Sequence, residues 1–105
     1  MKLAFSGKRY ATCGVMHALD PLLQSFLWGL VDRLVAEGTT EADYLQIFEL
    51  SPAAAEGPPV LEVVHRQEQP PYAATHRLPA GNPVRQKVYV IDDGDHCTML
   101  LAEEY

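Results

Sequence analysis

The stretch KVYVIDDGDHCTMLLAEEY, from Lys87 to Tyr105, decides how the fold is read. Two runs of alternating large side chains flank Asp93-Gly94, a dipeptide that favours the tight corner of a β-hairpin because positive φ is needed there. Pairing outward from that corner sets Val90 opposite Cys97 and Val88 opposite Met99 on one face. Ile91 and Tyr89 then meet His96 and Thr98 on the other. Both faces carry large side chains, so the hairpin is expected inside a sheet with something packed on at least one side.

Upstream, Pro79 to Pro83 reads as a turn and Tyr72 to Leu78 as a short edge strand. Gln69-Pro70-Pro71 breaks the run before it, and Val60 to Arg66 forms a further strand. The Pro- and Ala-rich loop 52–59 joins that strand, as a long hairpin, to Asp43–Ser51. In Asp43–Ser51, Tyr44, Gln46, Phe48 and Leu50 share one side; Leu45, Ile47 and Glu49 share the other. Near the start, residues 8–17 alternate Tyr10, Thr12 and Gly14 against Ala11, Cys13 and Val15. This predicts a first strand, distorted at Gly14 by a bulge or close packing.

Asp20-Pro21 supplies an N-cap followed by proline at the first helical position, and Gly38 suits the residue just past the end. Between them Leu22, Leu23, Phe26, Leu27, Leu30, Val31 and Leu34 recur at helical spacing and predict one buried face. The opposite side holds Ser25, Gly29, Asp32 and Ala36, with Trp28 at the border. Gly29 inside a helix costs about 1 kcal/mol relative to Ala, which a closely approaching neighbour would offset. Trp28, Gly29 and Asp32 are therefore the candidate partner-binding residues. The expected fold class is α+β: an antiparallel sheet of five or six strands with one amphipathic helix packed across a face, in a single domain spanning residues 1–105.

Composition bounds the function. The chain of 105 residues is 48% hydrophobic and 21% charged, as an ordinary globular protein is. A net charge of −6 argues against general nucleic-acid binding, which needs cations to neutralise phosphate. Lys2, Lys8 and Arg9 make the beginning basic, whereas Asp92, Asp93, Asp95, Glu103 and Glu104 make the end acidic. No run approaches the ~18 apolar residues of a membrane span, and no apolar leader precedes Lys8-Arg9. Cys13 and Cys97 have no C-x-x-C spacing, so a cytoplasmic protein with reduced thiols is expected; a disulfide between them would require neighbouring strands.

No motif spells out a reaction. His17, His65, His76 and His96 lie in four separate segments without metal-ligand spacing, and the glycines form no phosphate loop. Neither Ser6-Gly7 nor Cys13-Gly14 has the flanking residues of a nucleophile motif. At the acidic corner, strand alternation is expected to let Asp92 and Asp95 meet while pointing His96 away, so turn chemistry alone accounts for Asp93-Gly94. No catalytic residue, metal site or cofactor is expected from the residues.

Four segments, KRYATCGV (8–15), LQSFLW (23–28), DYLQIFEL (43–50) and the terminal KVYVIDDGDHCTMLLAEEY, together resemble a small bacterial family from Firmicutes. That family is a domain of unknown function first noted in staphylococcal genomes. The resemblance covers nearly the whole chain, and its last two segments are the specific ones. It implies a short, stand-alone cytoplasmic protein and carries no activity or site residue; the 52–59 loop is longer than the family pattern. The leading expectation is a non-enzymatic protein-interaction module, binding a protein partner or itself. A small-molecule-binding or hydrolytic enzyme would need at least two of His17, His65, His76, His96, Cys13 and Asp95 together in a concave pocket. A third reading makes the acidic end a nucleic-acid mimic that occupies a basic protein.

Overall fold

A computed structural model of the chain describes residues 4–53 and 56–105. Its elements are β1 (Lys8–Ala11), α1 (Cys13–Ala18), α2 (Pro21–Glu37), β2 (Leu45–Pro52), β3 (Val60–Gln67), β4 (Tyr72–Pro79), β5 (Gln86–Asp92), β6 (His96–Leu101) and a 3-10 turn at Ala102–Glu104. The six strands form one sheet in the order β1-β6-β5-β2-β3-β4. The fold is α+β, and every pairing is antiparallel except β1 with β6, which run parallel. β4 is an edge strand, as its proline-flanked sequence suggests, and the β5–β6 hairpin has a neighbour on each side. Of the loop between β2 and β3, residues 54 and 55 lie outside the described residues, as does Lys2.

The hairpin keeps its expected faces but not its expected register. Val90 pairs with Met99, Val88 with Leu101 and Asp92 with Cys97, a slide of two residues from corner-outward pairing at Asp93-Gly94. The reason is the turn. Gly94 has φ +95 while Asp93 does not have positive φ, so Gly94 is the first central residue of a Gly-X corner rather than the second of an Asp-Gly one. The N–H of Asp93 donates to the His96 carbonyl at 2.9 Å, and that of Gly94 donates to Asp92 Oδ1 at 2.9 Å. A two-residue slide preserves side-chain parity, so Val88, Val90, Cys97 and Met99 still face the core.

α2 begins and ends as its sequence dictates. Asp20 accepts from the Leu23 N–H at 2.8 Å, Pro21 opens the first turn, and Gly38 closes the helix in the left-handed conformation. Leu27, Leu30 and Val31 are buried against the sheet in one cluster with Phe48, Val88 and Val90, and Leu34 is buried near His65 and Tyr72. At ~1.5–3 kcal/mol for each large side chain fully buried, this contact dominates the helix's attachment. Leu22 departs from the expected face: it is 84% exposed, because the first turn overhangs the core.

The expected strand over residues 8–17 stops at Ala11. Thr12 turns the chain instead, its hydroxyl accepting from the Val15 N–H at 3.2 Å and capping α1. Val15, Ala18 and Leu19 then supply a helical face to the core. Close packing at Gly14 is real but comes from the other end of the chain. A Cβ there would lie 2.7 Å from the Glu104 carboxylate, which accepts from the Thr12 hydroxyl at 2.6 Å and the Leu101 N–H at 2.8 Å. These hydrogen bonds hold Glu104 below the usual carboxylate range. Cys13 and Cys97 are both free. Burial, with the nearby Asp92 charge, pushes the Cys97 thiol up and makes it a core residue rather than a reactive one.

Candidate functional site

Sequence reasoning placed a contact surface at Trp28, Gly29 and Asp32, and the structure gives two of them a prior engagement. Arg9, projecting from β1 on the same face as Cys97, lays its guanidinium 4.7 Å from the Trp28 ring centroid. The same group bonds Asp32 through both terminal nitrogens, Nη1 to Oδ2 at 3.1 Å and Nη2 to Oδ1, and also reaches the Phe5 carbonyl at 3.3 Å. The hydrogen bond to Asp32 raises Arg9 further above its already high range. Trp28 and Asp32 thus pin the β1 edge to α2. Gly29 is open: a Cβ there would meet nothing within 4 Å, so no neighbouring backbone among the described residues offsets its helical cost.

A second polar cluster lies in the core. Gln46, His65 and Gln67 are at most 3% exposed, and their hydrogen bonds fix one another's orientation. Gln67 Nε2 sits 2.8 Å from the Glu41 carbonyl and 2.9 Å from that of Pro70, so this atom is the donor. Gln67 Oε1 therefore accepts, from the Asp43 N–H at 2.9 Å and from Gln46 Nε2 at 2.7 Å. Gln46 Nε2 also donates to the Asp43 carbonyl at 2.9 Å, which turns its own Oε1 toward His65 Nε2 at 2.7 Å. His65 must then carry its proton on Nε2. Its ring stacks on Phe48 at 4.5 Å and meets the edge of Tyr72 at 5.6 Å. Burial, reinforced by His76, pushes His65 down to about 4, so it is neutral at physiological pH. The network ties the 41–43 connector and the β3–β4 turn to the sheet.

The hairpin corner reverses one expectation. His96 does not point away from the carboxylates: Nδ1 lies 2.8 Å from Asp95 Oδ1 and Nε2 lies 3.3 Å from Asp93 Oδ2. The short turn folds both side chains back onto the first residue of β6. His96 lines an open groove with Lys8, Tyr10, Asp95 and Thr98, which also places the basic start beside the acidic end. Asp92 faces elsewhere, accepting the Phe5 N–H at 2.8 Å. Of the other candidates, His17 lies exposed on α1 with Nδ1 3.0 Å from the Cys13 carbonyl, whereas His76, edge-on to Phe26, lines a small cavity together with His65. Among the described residues, no group of three or more His, Cys, Asp or Glu side chains is placed to hold a metal.

The sheet face away from α2 carries apolar rows that belong to no sequence motif. Leu100, Tyr89 and Ile47 stand directly opposite one another across β6, β5 and β2. The next row crosses four strands as Tyr10, Thr98, Ile91 and Leu45. Tyr105 folds its ring against Tyr89 at 5.5 Å. Around this apolar middle run Lys87 and the pairs Arg66–Glu49 at 3.5 Å and Arg77–Glu62 at 3.0 Å. Among the described residues, no helix of eight or more residues lies on this side, and no helix is long and apolar enough to cross a membrane.

Of the four segments that carry the family resemblance, three supply β1, β2 and the β5–β6 hairpin, and the fourth lies on α2. Residues 8–104 match the family described as a staphylococcal protein of unknown function, DUF960. The chain belongs to that family. It is also similar in fold to the crystal structure of a protein of unknown function from Enterococcus faecalis. The two are 23% identical with a TM-score of 0.75, over 100% of this chain and 98% of that one. No curated protein matches the chain.

Proposed function

We propose that this protein is a small cytoplasmic interaction module, acting by binding rather than catalysis, and that a second copy of itself is its partner. The observation that supports the reading is the sheet face away from α2, where half-buried Tyr89, Ile91 and Leu45 and exposed Tyr10 surround buried Ile47 and Leu100 inside a rim of charge. An apolar centre with a polar rim is the anatomy of a protein interface. Six strands at ~4.8 Å spacing and about 20 Å long give a footprint of roughly 500 Å² in projection, near what a modest stable dimer covers once relief is counted. The rim carries both signs, Arg66 and Arg77 beside Glu49 and Glu62, so it is self-complementary under a two-fold axis. The test is sedimentation equilibrium on wild type and Ile91→Lys from micromolar to submillimolar concentration. A reversible dimer lost in the variant is expected; a monomer throughout would refute self-association.

A second reading, hydrolysis of a small substrate, is favoured by the Asp95–His96 pair at 2.8 Å in its groove with Lys8 and Tyr10. A carboxylate that orients an imidazole is one requirement of general-base catalysis. Screening ester and phosphoester substrates against wild type and His96→Gln decides it. Turnover that the variant loses would establish catalysis, and turnover equal in both would remove it.

A further inference from the structure

The core network leaves one polar atom with no partner among the described residues. Gln46 fixes the proton of His65 on Nε2, so Nδ1 carries a lone pair and is an acceptor. Among the described residues none donates to it, although every fully buried side-chain nitrogen and oxygen has a partner. Nδ1 must therefore open onto free space. That space is a cavity of about 160 Å³ between the second half of α2 and strands β3 and β4, lined by His65, His76, Tyr72, Leu30, Leu34 and Ala74. Arg33 and Glu37 stand at its mouth, paired with each other at 2.9 Å.

We infer that this cavity binds a small, uncharged aromatic molecule that donates one hydrogen bond to His65 Nδ1. Size sets the ligand class, since a cavity of about 150 Å³ holds a single six-membered ring. The walls suit a ring: Leu30, Leu34 and Ala74 are apolar, and Tyr72 presents an aromatic surface. Charge is disfavoured at the inner end, where the imidazole is neutral and Leu30, Leu34 and Ala74 offer an ion no partner, while Arg33 and Glu37 at the mouth already pair with each other. Specificity follows from the donor. A ligand with O–H or N–H satisfies the acceptor, whereas the same ring without one leaves it bare. Preorganisation is the reason to assign the site here. Two glutamines and three backbone carbonyls lock the tautomer before any ligand arrives, and the Phe48 stack holds the ring in place. The site is independent of the sheet face proposed for self-association.

Phenol is the probe and anisole, the same ring without the donor, is the control. Protein labelled with ¹⁵N-histidine is titrated with each, and the imidazole nitrogens are followed by long-range ¹H–¹⁵N correlation. In the free protein the His65 resonances should report the Nε2–H tautomer. Phenol should shift Nδ1 saturably toward its hydrogen-bonded position and bind at least about tenfold more tightly than anisole, the worth of one buried neutral hydrogen bond. Ala74→Leu, which fills the cavity with an apolar side chain, should keep the circular-dichroism spectrum and abolish the shift. A proton found on Nδ1 in the free protein would overturn the inference. So would equal responses to phenol and anisole, or a phenol response that survives in a folded Ala74→Leu.

Discussion

The two faces of the sheet are made from the same strands and differ by a single step along each. On the covered side, Phe48 stands opposite Val88, which stands opposite Leu101, and α2 closes over them until none is more than 5% exposed. One residue away in each strand, Ile47, Tyr89 and Leu100 form an equally apolar row, which among the described residues is covered by the Tyr105 ring and by no helix of eight or more residues. Strand alternation usually makes an open face polar. Here the covered face carries the buried polar network and the open face carries aliphatic and aromatic rows. The covered face is thus committed to stability, while the other face buries Ile47 and Leu100, at 3% and 8% exposure, and leaves Tyr89, Ile91 and Leu45 half-buried beside an exposed Tyr10.

If that division is right, equal truncations should have unequal costs. Phe48→Ala should lose about 3–5 kcal/mol, whereas Ile91→Ala should lose about 1 kcal/mol or less in the monomer. Urea denaturation of both variants measures the difference, and similar losses would erase the contrast between faces. A somewhat smaller effect concerns His65. Its folded value of about 4 lies below the ordinary 6.5, so the unfolded chain binds a proton more readily between those pH values. Stability from this residue is therefore complete above pH 6.5, falls as pH is lowered toward 4, and is lost below. The shift corresponds to about 3 kcal/mol. Denaturation at pH 4.5 and 7 should show a smaller pH dependence in His65→Gln than in wild type.

Two glycines sharpen the comparison with changes of one carbon. A Cβ on Gly7 would lie 2.5 Å from the backbone oxygen of Asp95, so Gly7→Ala should lift the 4–7 segment from the hairpin and cost about 1–3 kcal/mol. Gly29, on the outer side of α2, has open space around it. Gly29→Ala should stabilise by about 0.5–1 kcal/mol and leave self-association untouched. Loss of the dimer in Gly29→Ala, with stability retained, would move the interface from the sheet to the helix.

Much of the fold was legible because its signals are local. Asp20-Pro21 and Gly38 bound α2, and Val88, Val90, Cys97 and Met99 kept their face because parity survives a two-residue slide. Registers and non-local pairings were not legible. One glycine φ decides the hairpin's register, and the parallel β1–β6 contact joins residues almost ninety apart. Helix α1 was hidden because six residues are too few to separate period 2 from period 3.6: Val15 and Leu19 fit helical spacing, while Ala11, Cys13 and Val15 fit a strand. For the candidate surfaces, nothing near Trp28 or Asp32 announces Arg9, which reaches them across 19 and 23 residues. The core network did leave a trace. Gln46 shares a strand face with Phe48 and Leu50, and a polar side chain set among core residues asks for partners. His65 and Gln67 on the next strand are those partners.

The central claim is that the open sheet face joins two copies of the chain, and sedimentation equilibrium on wild type and Ile91→Lys tests it most directly. The account predicts a concentration-dependent dimer for wild type and a folded monomer for the variant, with urea midpoints that differ little once extrapolated to the monomer. A wild-type protein that stays monomeric at submillimolar concentration, or a dimer that Ile91→Lys leaves intact, would contradict it.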